Sequence, residues 1–462
     1  MLNLKKEVLR MKYVIVGSSH FGYEAVETIL ESQPEAEIHL YERGDKASFM
    51  SCGAQSYLEG IAKSPDDIHY ANEDSYKKQG INVHLNSDVV EIDPAEKNIT
   101  VRTEGSVEKP SYDKLLLSPG GYAPLLNIAG NDLKDVYTFR GRDDAEAVKA
   151  RMTDAEKVIV IGGGYIGIEV AEAFVRNGQK VTLIDAVDRF LPTYLDEEFY
   201  PTLLAEAEAK GMSFVGNEYV QEIKSDDGLV TGVTTDKGDY DADTVIMAVG
   251  VRPDTSWLKD VLELDDKGFV VVNDQLETSA EDVYAGGDAI LVPFNATGKK
   301  ACIGLATNAR KQGVTAGLNA MGGQVEVPGV NGTSGLGFFD LNFATTGLKD
   351  CTKETYDGEV KSYYCKEKIR PSFMDEEDVT VEMKILYDAE TEVILGAQFL
   401  STEDITQAAN TLSLAVTVKM TLTDLAQADF FFQPGFSRPW HFLNVLAMRA
   451  QGKTYGSTKM LF

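Results

Sequence analysis

Two stretches of the chain share one pattern. Tyr13-Val14-Ile15-Val16 is an unbroken apolar run that ends in the turn Gly17-Ser18-Ser19-His20-Phe21-Gly22. Apolar residues at helical spacing then continue to Leu30, and a second apolar run from Ile38 ends in Glu42. Val158 to Ile161 repeats the theme with the turn Gly162-Gly163-Gly164-Tyr165-Ile166-Gly167, a helix to about Asn177, and a strand from Val181 that ends in Asp185. Unbroken β-branched runs predict strands buried on both faces, as in a parallel sheet. Three more apolar runs stop in glycine turns. Leu115–Leu117 stops at Ser118-Pro119-Gly120-Gly121, Val245–Val249 at Gly250, and Val283–Ala285 at Gly286-Gly287-Asp288. From Val330 the texture changes. Strand-like segments at Val379–Met383 and Val393–Phe399 precede a helical stretch from Ile405 to Lys419 and the aromatic cluster Phe430-Phe431-Phe432-Gln433-Pro434-Gly435-Phe436. This predicts a separate α+β domain after two βαβ units.

The paired glycine turns have a chemical reading. In each unit the first glycine makes the tight turn, the second lets the backbone approach a pyrophosphate, and the third lets helix and strand pack closely. The helix N-terminus faces the phosphates, and the terminal acid accepts from ribose hydroxyls. One such turn is weak evidence; two, each with strand, helix and acid in place, are strong. Asp185 would repel a 2′-phosphate, so the second unit reads as a site for NADH rather than NADPH. The first turn departs from the pattern at Ser19, where glycine is usual.

Composition narrows the class. The chain has 462 residues, 43% of them apolar and 25% charged, ordinary for a globular protein of about three domains. A net charge of −29 opposes nucleic acid and anionic lipid. The most apolar stretch, Val158 to Val170, is interrupted by glycines and by Glu169, too polar to span a bilayer. Residues 1–10 lack the apolar core of a signal peptide and read as an N-terminal extension, so a cytoplasmic location is expected. The cysteines Cys52, Cys302, Cys351 and Cys365 form no CxxC pair and no zinc pattern, so no metal site is expected.

Cys52 carries the chemistry. It lies in Ser48-Phe49-Met50-Ser51-Cys52-Gly53, with no second cysteine within ten residues on either side. A redox-active thiol without a partner in sequence cycles most simply through a sulfenic acid, which points to peroxide or oxygen. Cys52 is expected to open a helix running to about Leu58, whose N-terminus would favour thiolate. His20 and Glu24 share one helix face, where the carboxylate can orient the imidazole. Cys302 reads as packing, and Cys351 and Cys365 as incidental.

Together these motifs resemble the pyridine-nucleotide–disulfide reductase superfamily in its single-cysteine branch, from Met11 to about Trp440. The markers are Gly17-Ser18-Ser19-His20, Ser51-Cys52-Gly53, Tyr284-Ala285-Gly286-Gly287-Asp288-Ala289, Leu305-Ala306-Thr307-Asn308-Ala309 and Phe431-Phe432-Gln433-Pro434. The resemblance implies an α/β protein with two Rossmann-like dinucleotide-binding domains, for FAD and NAD, and a C-terminal α+β dimerisation domain. The expected divisions are 11–128 for FAD, 129–250 for NAD, 251–328 as a return segment completing the FAD domain, and 329–462 as the interface domain of a homodimer or homotetramer.

The resemblance also implies site residues. FAD would meet Gly17, Ser18, Ser19, Phe21, Gly22 and Glu42 in the first unit. Ser118, Pro119, Gly120, Gly121, Arg140, Asp288, Ala306 and Thr307 would complete its site. NADH would meet Gly162, Gly164, Tyr165, Ile166, Gly167 and Asp185, with Tyr194, Gly250, Gly304 and Gly335 around the nicotinamide. Within the branch, His20, Glu24 and Arg310 resemble the NADH peroxidases. The expected reaction takes NADH, a proton and hydrogen peroxide to NAD and two waters, with Cys52 attacking a peroxide oxygen and His20 or Arg310 stabilising the departing hydroxide. The alternatives are a water-forming NADH oxidase with the same cofactors, a coenzyme A-disulfide reductase, and a peroxide-sensing flavoprotein without turnover.

Overall fold

The computed structural model describes residues 10–374 and 379–453. Residues 1–9 of the expected extension lie outside the described residues. In the first unit β1 (Lys12–Val16) leads through the glycine turn into α1 (His20–Ser32) and then β2 (Glu37–Tyr41). β3 (Asn82–His84) and β4 (Lys114–Leu117) pair alongside in the parallel order β4-β1-β2-β3. Tyr13, Val14 and Ile15 have no exposed surface, as an apolar strand covered on both faces must.

The second unit is built alike. β5 (Val136–Thr138) precedes β6 (Lys157–Ile161), α2 (Tyr165–Arg176), β7 (Lys180–Ile184), β8 (Met212–Val215) and β9 (Thr244–Met247). The sheet is parallel throughout in the order β8-β7-β6-β9-β5. The third glycine of each turn explains the match between the units. A Cβ on Gly22 would lie 1.9 Å from the Gly17 carbonyl oxygen, and one on Gly167 1.9 Å from that of Gly162. Only glycine lets each helix start so close to its strand.

The chain then returns to the first sheet. β10 (Val283–Ala285) pairs parallel with β4, and α3 (Ala306–Ala320) lies against α1. Small residues set that approach. A Cβ on Gly313 would lie 2.4 Å from the Phe21 carbonyl oxygen, and one on Gly317 3.2 Å from Thr28. The close contact brings Arg310, one turn earlier on α3, to Glu24 of α1.

The last domain is an antiparallel sheet. Its strands are β11 (Ser334–Phe338), β12 (Leu341–Gly347), β13 (Val360–Lys368), β14 (Thr380–Asp388) and β15 (Ile394–Ser401), in the order β11-β12-β15-β14-β13. β14 and β15 extend the two strands expected from sequence, and α4 (Thr406–Thr417) covers the sheet. Phe431, Phe436 and Phe432 stay 69%, 69% and 49% exposed. Among the described residues no helix is long and apolar enough to cross a membrane.

Candidate active site

The residues expected to hold FAD converge on one cavity of about 580 Å³, lined by the first turn from Gly17 to Phe21, Glu42, Ser118 to Gly121, Arg140 and Asp288. Glu42, one residue past β2, accepts from the Ser18 backbone N–H at 3.2 Å, the Ser18 hydroxyl at 2.5 Å and the Gly44 N–H at 2.9 Å. The Ser19 hydroxyl turns to the Phe49 carbonyl at 3.3 Å instead of capping α1. The first amides of α1 are thus left for an anion. Arg140 holds Asp288 at 2.6 Å and the Gly121 carbonyl at 3.0 Å. This donor set fits FAD: a helix N-terminus for pyrophosphate, a carboxylate for ribose and a cavity of dinucleotide size. Gly22 stands behind the turn, against Gly17. Ala306 and Thr307 open α3 one turn from Ala309, which lines the cavity.

The second turn is organised in the same way. The Gly163 N–H donates to Asp185 at 2.6 Å, and α2 also begins without a side-chain cap. Tyr165 stacks on Tyr194 with ring centroids 3.6 Å apart, and its hydroxyl meets that of Ser334, beside Gly335, at 2.8 Å. Gly250 follows β9 with φ +103°. Gly304 packs on the FAD-side carboxylate: a Cβ there would lie 2.8 Å from Asp288.

Cys52, His20, Glu24 and Arg310 form one cluster with changed partnerships. Cys52 Sγ lies 4.0 Å from His20 Nε2. Glu24 does not orient His20; it forms an ion pair with Arg310. The imidazole is held by the Tyr70 hydroxyl, 2.7 Å from Nδ1 and 2.5 Å from Nε2. Helical spacing permits the His20–Glu24 pair, but a guanidinium delivered by α3 binds a carboxylate more strongly than a neutral ring does. Arg310 also lies 4.5 Å above the Tyr70 ring and 5.0 Å above that of Tyr23, a favourable cation–π placement. Sequence reasoning missed Tyr70, which sits in a loop with no motif.

The electrostatics correct two expectations. Cys52 does not open the helix; it lies in the tight turn Ser51–Gly53 ahead of the short helix Ala54–Leu58. Burial pushes its thiol above the ordinary value, Glu169 adds to the rise, and a backbone hydrogen bond and Arg310 oppose it. So short a helix has a weak dipole, and desolvation of the sulfur wins. Burial, assisted by Arg310, lowers His20 to about 4. The imidazole is neutral near pH 7, and the positive charge of the cluster sits on Arg310.

Glu169, visible in the sequence as the acid within an apolar stretch, is pushed up to about 7 by burial and by Glu172 and Glu59. An acid raised on folding binds more protons in the folded chain. Its contribution to stability is full below the ordinary value of 4.5 and is lost as pH rises through about 7. Glu169→Gln is therefore expected to raise the melting temperature at pH 8 relative to the parent and to leave it little changed at pH 4, checked by thermal denaturation at both values.

Known proteins agree with this architecture. The sequence profile of the pyridine nucleotide-disulphide oxidoreductase family matches residues 11–313, and that of the family's dimerisation domain matches 333–442. The chain belongs to this family; it is a flavoprotein oxidoreductase, and FAD and NADH are the cofactors that membership assigns to it. It is 40% identical to an NADH oxidase of Enterococcus faecalis across 95% of this chain and 99% of that one. It is 32% identical to an NAD(P)H coenzyme A polysulfide/persulfide reductase of Pyrococcus horikoshii, across 96% of this chain and 98% of that one. Among solved structures, the water-forming NADH oxidase of Lactobacillus brevis bound to NADH superposes with a TM-score of 0.92 at 35% identity, covering 96% of this chain and 98% of that one.

Proposed function

We propose that the protein is a water-forming NADH oxidase, the alternative weighed from the sequence, in preference to the peroxidase that His20, Glu24 and Arg310 led us to expect. Full-length likeness to proteins named as NADH oxidases supports the electron acceptor. The observation that carries the water-forming step is Cys52, 4.0 Å from His20 and electrostatically coupled to Arg310. The net reaction is two NADH, two protons and dioxygen to two NAD and two waters.

The first turn, Glu42, Ser118–Gly121 and Asp288 would hold FAD in their cavity, where it would supply two-electron chemistry between NADH, oxygen and sulfur. Gly162–Gly167 would hold NADH, with Asp185 to accept from its ribose hydroxyls and Tyr165 and Tyr194 to flank its nicotinamide. The residues then act on peroxide formed from dioxygen. Cys52 thiolate attacks one oxygen, the O–O bond breaks, and sulfur becomes a sulfenic acid. Arg310 stabilises the thiolate and the departing hydroxide, while Tyr70 fixes the His20 ring beside the sulfur. Two electrons from NADH return the sulfenic acid to thiolate with release of water. The exposed Phe431, Phe432 and Phe436 lie in the interface domain of a homo-oligomer.

One observation favours a second reading, NADH peroxidase. The Arg310–Glu24 ion pair, with the guanidinium over the Tyr70 and Tyr23 rings, places a fixed positive charge near Cys52 that could stabilise the hydroxide leaving a peroxide taken from solution. Oxygen uptake with a ratio of two NADH per dioxygen and no peroxide released supports the oxidase. NADH oxidation that needs added peroxide and proceeds without oxygen sinks it in favour of the peroxidase.

Asp185 sets the choice of dinucleotide, since its carboxylate would oppose a 2′-phosphate. Asp185→Ala is expected to narrow the preference for NADH over NADPH by about tenfold, read as the ratio of the two kcat/KM values.

A further inference from the structure

A charge cluster centred on a buried lysine joins the second nucleotide domain to the interface domain. Lys384 of β14 is 1% exposed and reaches Asp196 at 3.1 Å, Glu198 at 2.8 Å and Asp350 at 2.5 Å. The three carboxylate oxygens are close enough together to suggest a cation site, but the Lys384 ammonium already stands among them. Asp196, also 1% exposed, is held further. It accepts from the Gln398 side-chain N–H at 2.6 Å and from the Asp350 backbone N–H at 3.0 Å, and its own backbone N–H donates to the Gln398 side-chain oxygen Oε1 at 2.6 Å. A cation so buried holds its place only with partners around it, and losing it strands the buried Asp196 carboxylate, while Glu198 and Asp350, each about a third exposed, still reach water.

Asp196 ends a short strap whose other end is also fixed. The Leu191 N–H donates to the Gly163 carbonyl in the second glycine turn at 2.6 Å. Between these anchors the strap carries Tyr194, whose ring stacks on Tyr165 at 3.6 Å. Tyr165 is tied to the interface domain as well, through Ser334 of β11 at 2.8 Å. Both rings of the pair therefore take their position from the interface domain.

We propose that Lys384 and its carboxylates are a positioning device for the NADH site, holding the Tyr165–Tyr194 wall in register from the interface domain. The inference rests on the placement of NADH beside those tyrosines under the proposed function. Lys384 touches no substrate and acts through Asp196 and the strap.

The test uses FAD-loaded enzyme and two variants, Lys384→Met and the milder Asp350→Asn, which keeps the lysine and two carboxylates. NAD binding is measured by titration calorimetry without turnover, alongside FAD content and the reactivity of the Cys52 thiol. Lys384→Met is expected to weaken NAD binding about tenfold, and Asp350→Asn less. The KM for NADH should rise in step while kcat, FAD content and thiol reactivity hold. Parent-like NAD affinity in both variants overturns the proposal. A parallel fall of NAD affinity, FAD content and thiol reactivity in both also overturns it, because the cluster would then serve only general stability. If the parent enzyme itself does not bind NAD, the reading of the NADH site fails first and takes this inference with it.

Discussion

If the proposed oxidase function holds, Cys52→Ser is expected to turn water formation into peroxide formation. Without the thiol nothing in the cluster can accept an oxygen atom from peroxide, because a serine hydroxyl has no accessible oxidised state. Dioxygen can still take two electrons, so NADH, a proton and dioxygen would give NAD and hydrogen peroxide in equal amounts. Anaerobic oxidation of NADH by added peroxide should fall by at least about a thousandfold, the scale seen when a nucleophile is removed from a site built around it. Oxygen uptake and peroxide release measured together check the result. A variant that still makes water would remove Cys52 from the reaction.

The next largest effect is expected at Arg310. His20 is held near 4 and is neutral at working pH, so the guanidinium supplies the positive field. Arg310 is also among the groups that pull the Cys52 thiol down against burial. Arg310→Met should therefore raise the thiol further and leave the departing hydroxide uncompensated. Activity needs thiolate and grows with pH through the thiol pKa, so the rising limb of the profile should move to higher pH. The loss in kcat/KM for peroxide near pH 7 should be about a hundredfold, typical for one preorganised charge-stabilising group. His20→Gln should cost less and leave the limb nearly in place. A profile in Arg310→Met that coincides with the parent's would overturn the assignment of charge.

The nucleotide frame was legible because its signals are local. The runs before Gly17 and Gly162, the helical spacing after them, and the acids Glu42 and Asp185 all lie within short windows, and each turn works through its own backbone. Cys52 was legible for a related reason: the absence of a neighbouring thiol is itself a sequence fact. Glu169 was in view as an acid inside an apolar run, but its protonation depends on burial against Glu172 and Glu59.

Partnerships between distant segments were not legible. Glu24 lies one turn from His20, and spacing alone pairs them; the structure gives Glu24 to Arg310 because Gly313 and Gly317 let α3 settle close on α1. Tyr70 takes the imidazole from a loop without motif. The thiol of Cys52 was expected to fall through a helix dipole, and burial raises it. By itself the sequence determined the two dinucleotide folds and the third domain, and it singled out Cys52 as a candidate, because periodicity, tight turns and residue chemistry act over a few positions. Tertiary structure alone decided which charge meets which and how strongly each is desolvated, because electrostatic energy depends on distance through space and on the surrounding medium, neither of which chain order records.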